Sequence, residues 1–143
     1  MIDGVTNTEG LSVLERLVQF SGQRHRLIVN NIANFDTPGY RPLDVSVRDF
    51  QAQMRDAIDE RRTSARSGGS LNLEDSAQIE FSAGSMTLHP TPIGENILFH
   101  DGNDRDLERT MQDLVENFFT FRIATELLRS RYDILRSAIA ERV

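Results

Sequence analysis

The last third of the chain carries a long repeat of apolar residues that suits an α-helix and not a strand. From position 107 to position 139 the repeat recurs at alternating steps of four and three residues, and only Thr125 interrupts its apolar character. Its members are Leu107, Met111, Leu114, Phe118, Phe121, Thr125, Leu128, Tyr132, Leu135 and Ile139. Because steps that average 3.5 residues return to one face of a helix, we predict a C-terminal helix that Asn103 or Asp104 caps.

A second repeat with the same spacing lies near the N-terminus. Its members are Leu11, Leu14, Val18, Ser21, His25, Ile28 and Ile32. Two capping-box patterns predict that this helix begins between Thr6 and Ser12. Pro38 disfavours helical backbone angles in the residue before it, so the helix must end by Thr37, and we place its end near Asn34.

The chain between the two repeats has a different character. An amphipathic pattern predicts a short helix from Asp44 to about Arg62. The Ser-, Arg- and Gly-rich stretch 63–70 and the Pro- and Gly-containing stretch 82–102 do not favour a continuous regular element. Short strands are possible at Gln78–Phe81 and at Asn96–His100.

These patterns predict a mainly α fold. The long N- and C-terminal helices are expected to pair as a coiled-coil-like bundle, antiparallel or splayed, with a short helix and an irregular or short-β middle segment. We expect one discontinuous domain formed by both termini. It comprises an N-terminal assembly helix at 1–34 and a C-terminal assembly helix at 103–143, joined by a turn motif and middle segment at 35–102.

The apolar members of both repeats are predicted to form an assembly interface. Beside the C-terminal repeat lie five more apolar residues, Val115, Phe119, Ile123, Leu127 and Ile134. One partner helix cannot cover all of this surface, and leaving it wet costs free energy, so we predict a second contact surface within a multi-subunit bundle. The alternative is a self-contained helical hairpin whose extra apolar residues pack under the middle segment.

Charge and composition exclude several functional classes. The net charge of −6 disfavours nucleic acid as a partner. The chain has no cysteine, and His25, His89 and His100 show no metal-ligand spacing, so we expect no enzyme, no metal and no cofactor. The N-terminal residues show neither a cleaved signal peptide nor a segment for direct membrane insertion.

The segment from Asn30 to Tyr40 carries a specific motif. It reads Asn30, Asn31, Ile32, Ala33, Asn34, Phe35, Asp36, Thr37, Pro38, Gly39 and Tyr40. This motif resembles the signature of flagellar rod, hook and hook-associated proteins, in which an N-terminal helix ends in Ala-Asn, two variable residues and Thr-Pro-Gly-Tyr. The chain is most similar to the proximal rod members, in its short length and in the Arg-, Tyr- and Leu-rich end of its last helix.

The resemblance implies a structural subunit of the flagellar basal body rod, which spans the periplasm and transmits torque. It implies export without a cleaved signal by the flagellar type III export apparatus. The implied partners are copies of the chain, other rod proteins, the membrane-ring protein and a rod adaptor. A soluble coiled-coil binding module, such as an export chaperone, is the alternative, since it would also be short, acidic and helical.

Overall fold

A computed structural model describes residues 8–63, 71–82, 84–93 and 107–140. In these ranges the chain forms three helices and two small antiparallel sheets, which confirms the mainly α prediction. The elements are α1 (Thr8–Ala33), β1 (Leu43–Asp44), α2 (Val47–Thr63), β2 (Ile79–Ser82), β3 (Ser85–Leu88), β4 (Thr91–Pro92) and α3 (Leu107–Ala140). None of the described helices combines the length and hydropathy that a membrane span requires.

The helix bounds follow local capping chemistry. α1 ends within one residue of its predicted end. α2 begins at Val47, three residues after the predicted start, because Asp44 belongs to β1 and Ser46 is the N-cap. The Ser46 hydroxyl accepts a hydrogen bond from the backbone N–H of Asp49 at 3.1 Å. The predicted caps of α3, Asn103 and Asp104, lie outside the described residues.

Two short sheets organise the middle of the chain. β1 pairs with β4, with Asp44 opposite Thr91. β2 and β3 form a hairpin in which Ile79 faces Leu88. The strand predicted at Gln78–Phe81 is thus present, shifted by one residue, but β3 was not predicted. The possible strand at Asn96–His100 lies outside the described ranges.

The main apolar core lies between α1, α2 and the hairpin. Its buried members are Phe20, Val45, Phe50, Met54, Ile79 and Met86. The rings of Phe20 on α1 and Phe50 on α2 stack with their centroids 4.0 Å apart and therefore set the separation of the two helices. Phe20 is not a member of the N-terminal apolar repeat. The residue that α1 buries in this core therefore lies beside the predicted repeat.

α3 packs antiparallel along the opposite side of α1. Three contacts show the direction: Arg24 meets Asp113, Ser21 meets Asn117, and Glu15 meets Tyr132. The residue number falls along α1 as it rises along α3, so the two helices are antiparallel. Contact between the terminal helices is therefore confirmed, whereas coiled-coil pairing is not. The residues that α3 buries are Asn117 and Ala124, and neither belongs to the predicted repeat.

Candidate assembly interface and the turn that supports it

The turn after α1 is closed by hydrogen bonds among the motif residues. The Asn34 side-chain amide donates to the Asn30 carbonyl at 2.9 Å, and the Thr37 N–H donates to the Asn34 carbonyl at 3.0 Å. The Tyr40 N–H then donates to the Thr37 carbonyl at 3.2 Å. Gly39 has a φ of +74°, which residues with a Cβ rarely adopt. The motif therefore forms a defined reversal of the chain.

Asn31 joins this turn to β1. Its amide nitrogen donates to the Leu43 carbonyl at 2.8 Å, while its amide oxygen accepts from the Leu43 N–H at 3.0 Å. The same oxygen accepts from the Tyr40 hydroxyl at 2.9 Å. The Asn31 residue is only 6% exposed, so these bonds replace water at a strand edge. Asn31 thereby holds β1 beside α1.

A charged cluster lies where β1, α1 and α3 meet. Arg24 is 7% exposed, and its Nε and Nη2 donate to the two carboxylate oxygens of Asp44 at 2.9 and 2.7 Å. Asp113 of α3 lies 3.6 Å from the same Nη2. Burial opposes charge on Arg24, but the hydrogen bond and charge of Asp44 raise its pKa overall. Burial, aided by the negative charge of Asp44, raises the pKa of Asp113 despite the neighbouring guanidinium.

Small and polar residues form the rest of the contact between α1 and α3. The Asn117 side chain donates to the Ser21 carbonyl at 2.9 Å, and both residues are buried. A Cβ built on Gly22 would lie 3.5 Å from the Phe121 ring, so the two helices approach closely here. Farther along, the Tyr132 hydroxyl donates to a Glu15 carboxylate oxygen at 2.6 Å, a bond that raises the pKa of Tyr132. These contacts fix the register of α3 on α1.

The remaining circumference of α3 exposes many large apolar side chains among charged ones. Eleven large hydrophobic residues of this helix are exposed: Leu107, Met111, Val115, Phe118, Phe119, Phe121, Ile123, Leu127, Tyr132, Ile134 and Ile139. At 100° per residue ten of them form two strips that flank the contact with α1, and Val115 lies between the strips on the side away from α1. The repeat strip contains Leu107, Met111, Phe118, Phe121, Tyr132 and Ile139. The outer strip contains Phe119, Ile123, Leu127 and Ile134.

The structure divides the predicted interface residues between these surfaces. Six members of the C-terminal repeat form the exposed repeat strip, whereas Leu114, Leu128 and Leu135 are half-buried. In α1, Ile28 is buried, while Leu11, Leu14, Val18 and Ile32 are half-buried. The motif residues Asn30, Asn31, Asn34, Thr37 and Tyr40 converge through hydrogen bonds. Ala33 and Pro38 are exposed beside them.

The charged cluster around Arg24 and the contact between Asn117 and Ser21 were not predicted from the sequence. Asn117 does carry one signal, because it is a polar residue among apolar neighbours at the centre of a long helix. Arg24, Asp44 and Asp113 resemble ordinary surface charges in the sequence, and only the fold brings them together. Within the described ranges, no three His, Cys, Asp or Glu side chains converge as a metal site would need.

The Asn31 contacts give a graded stability prediction. Asn31→Ala should lower the free energy of unfolding by about 2 kcal/mol, since it leaves the N–H and C=O of Leu43 without their partners. Tyr40→Phe, which removes the hydroxyl that donates to Asn31 and accepts from the Asn30 side-chain amide, should cost about 1 kcal/mol. Asn30→Ala, at an exposed position, is the control with the smallest effect. Urea unfolding measures the series, and equal losses for Asn30→Ala and Asn31→Ala would contradict it.

Comparisons with known proteins identify relatives over most of the chain. No family model matches it. Curated proteins named flagellar basal body rod protein FlgB are similar to it, among them those of Bacillus subtilis (strain 168), Yersinia enterocolitica and Borrelia hermsii. The Bacillus subtilis protein is 22% identical over 126 residues, which cover 88% of this chain and 89% of the relative. The Yersinia enterocolitica protein is 25% identical over 134 residues, covering 89% and 90% of the two chains.

The Borrelia hermsii protein is 27% identical over 122 residues, covering 82% of this chain and 85% of the relative. The matched length in all three extends well beyond the motif between Asn30 and Tyr40. It therefore includes much of the chain outside the eleven motif residues. Over most of its length, the chain is therefore similar to proteins named flagellar basal body rod protein FlgB.

Proposed function

We propose that this protein is a structural subunit of the flagellar basal body rod, assembling helically with copies of itself and with other rod proteins. The observation that carries the proposal is the exposed apolar circumference of α3. Burying one large apolar side chain stabilises an assembly by about 1.5 to 3 kcal/mol. Patches of this extent on a protein surface typically mark interaction sites. The apolar members of the two repeats are the proposed assembly interface.

The packing of α1 on α3 suits a subunit that transmits force. An ion pair at Arg24 and hydrogen bonds at Asn117 and Tyr132 connect α3 to α1 at three levels. A force applied to α3 is therefore passed to α1 and, through Asp44 and Asn31, to the small sheet. In this proposal the terminal helices form the assembly unit and the middle segment supports it. Torque passes between subunits through repeated contacts of a helical assembly.

The wider setting of the proposal follows the resemblance carried by the motif from Asn30 to Tyr40. The chain would be exported by the flagellar type III export apparatus without a cleaved signal peptide and would join a rod that spans the periplasm. Its neighbours there would include the membrane-ring protein and a rod adaptor. In this setting its role is structural and not catalytic.

Fractionation of basal bodies tests the proposed function. A tagged full-length chain, expressed in place of the native copy, should co-purify with basal bodies and restore motility. An export chaperone would instead remain as a small oligomer in the soluble fraction and be absent from purified basal bodies. Recovery of the chain only in that soluble fraction, in motile cells, would refute the rod proposal.

A further inference from the structure

A groove runs between the N-terminal half of α1 and α2. Val13 and Leu17 of α1 line one wall, while Phe50, Met54 and Ile58 line the floor and the other wall. The groove encloses a volume of about 440 Å³. It exists because the stacked rings of Phe20 and Phe50 hold the two helices apart. It is a long apolar slot on the side of α1 that α3 does not cover.

The outer strip of α3 matches this groove in spacing. Phe50, Met54 and Ile58 recur at steps of four residues along α2, and Phe119, Ile123 and Leu127 recur at the same steps along α3. Phe50 and Met54 are 2% and 7% exposed and form the floor of the groove, in which a row with a step of four on another helix can lie as a ridge. Each row spans about 12 Å at about 1.5 Å per residue. Ile123, at the centre of its row, is 59% exposed.

Charge distinguishes the outer strip from the repeat strip as the better fit. The groove is rimmed by Arg55, Asp59 and Arg62, so its lining carries two positive charges and one negative charge. Exposed Glu116 and Glu126 lie within one helical turn of the outer strip. Arg122, three residues after Phe119, and Arg131, on the border toward α1, also lie near this strip, so its surroundings carry two negative and two positive charges.

The repeat strip has more basic surroundings, since Glu108 is the one exposed acidic residue within one turn of its members in the described part of α3. Arg122 follows Phe118 by one turn, and exposed Arg129 and Arg136 flank Tyr132 within one turn on either side. Packing this strip against Arg55 and Arg62 would bring like charges together at the rim. Like charges at an interface disfavour a pairing, whereas the acidic residues near the outer strip favour it.

We propose that the groove between α1 and α2 of one copy receives the outer strip of α3 from a second copy. This inference rests on the proposed function and names the surfaces through which copies meet. The donor strip and the acceptor groove are different surfaces of the same chain. Such a heterologous contact leaves a free groove at one end of a row of copies and a free strip at the other, so it propagates as an open helical assembly. The repeat strip stays available for other neighbours.

Cysteine cross-linking tests the contact directly, because the native chain has no cysteine. Two differently tagged copies, Arg55→Cys and Ile123→Cys, are co-expressed, and their purified basal bodies are oxidised. The mixed disulfide dimer should form at least about tenfold more than in the matched pair Arg55→Cys with Phe118→Cys, because adjacency raises the effective thiol concentration. All three positions are exposed, so the substitutions do not disturb the core.

The outcomes separate this inference from the proposed function. Basal bodies that contain both variants but favour the Phe118→Cys dimer, or yield neither dimer, overturn the groove assignment and leave the rod function standing. Absence of the unmodified tagged chain from basal bodies would instead refute the rod function. If a cysteine variant fails to incorporate, a charge exchange decides: Arg55→Glu and Glu126→Arg should each reduce incorporation, and the double variant should restore it. No recovery in the double variant would count against the groove.

Discussion

Phe118→Asp is expected to abolish assembly while leaving the fold of the chain intact. Phe118 is 45% exposed on the repeat strip, and its ring meets the edge of the Phe119 ring at a centroid distance of 5.9 Å. An aspartate is therefore well hydrated in the monomer. In an assembled interface its carboxylate would lose water that Arg122, one turn away, replaces only in part, which costs several kcal/mol. Incorporation into basal bodies and swimming in soft agar should both be lost.

Two further variants separate loss of assembly from loss of folding. Phe118→Leu keeps an apolar side chain and should retain incorporation and motility. Leu128→Asp places the same charge at a half-buried position on the side of α3 that faces α1, so it should lower thermal stability as well as assembly. Circular dichroism melts distinguish the two aspartate variants. Normal motility with Phe118→Asp would exclude the repeat strip as an interface.

The helices were predictable from the sequence because their signals are local. The repeats and the Thr-Pro-Gly stop at Thr37 to Gly39 placed α1 and α3 well, since the periodicity and chain breakers act within a few residues. The same periodicity could not show which part of the fold each helix face packs against. It predicted a paired apolar repeat, but α1 uses Phe20 for the core, and α3 meets α1 around Asn117 and Ala124.

The parts that were missed depend on pairs of residues far apart in the sequence. Arg24 and Asp44 are 20 residues apart, and Ser21 and Asn117 are 96 apart. Each of these residues alone is of a type common on protein surfaces. Only the fold brings the two members of each pair into contact. The hairpin shows the same limit, because Arg16, which is distant in the sequence, donates to the Ser85 carbonyl at 2.6 Å and supports β3.

The motif from Asn30 to Tyr40 was predictable in part. Pro38 and Gly39 predicted a reproducible turn on local grounds, and the structure gives Gly39 the positive φ that such a turn requires. The sequence did not distinguish the buried Asn31 from the exposed Asn30, although the two are adjacent and chemically identical. Their difference follows from the position of Leu43, whose backbone groups only Asn31 reaches. A turn was therefore predictable, and the residue that ties it to β1 was not.

Arg24→Met is expected to be the most destabilising single substitution in the contact between α1 and α3. It keeps an apolar side chain of similar length but leaves Asp44 and Asp113 facing each other without the cation they share. Removing one partner of a buried ion pair costs about 3 kcal/mol. The matched control is Arg26→Met, two residues away on the exposed face of the same helix, which should change stability by less than about 0.5 kcal/mol.

Arg24→Lys refines the prediction because it keeps the charge but cannot form the two parallel bonds to Asp44. The decrease in its free energy of unfolding, measured with urea, should therefore fall between the decreases for Arg24→Met and Arg26→Met. Combining Arg24→Met with Asp44→Asn should recover part of the loss, since the second change removes the carboxylate left unpaired by the first. Equal losses for the double variant and for Arg24→Met would show that lost packing, and not the unpaired charge, dominates the effect.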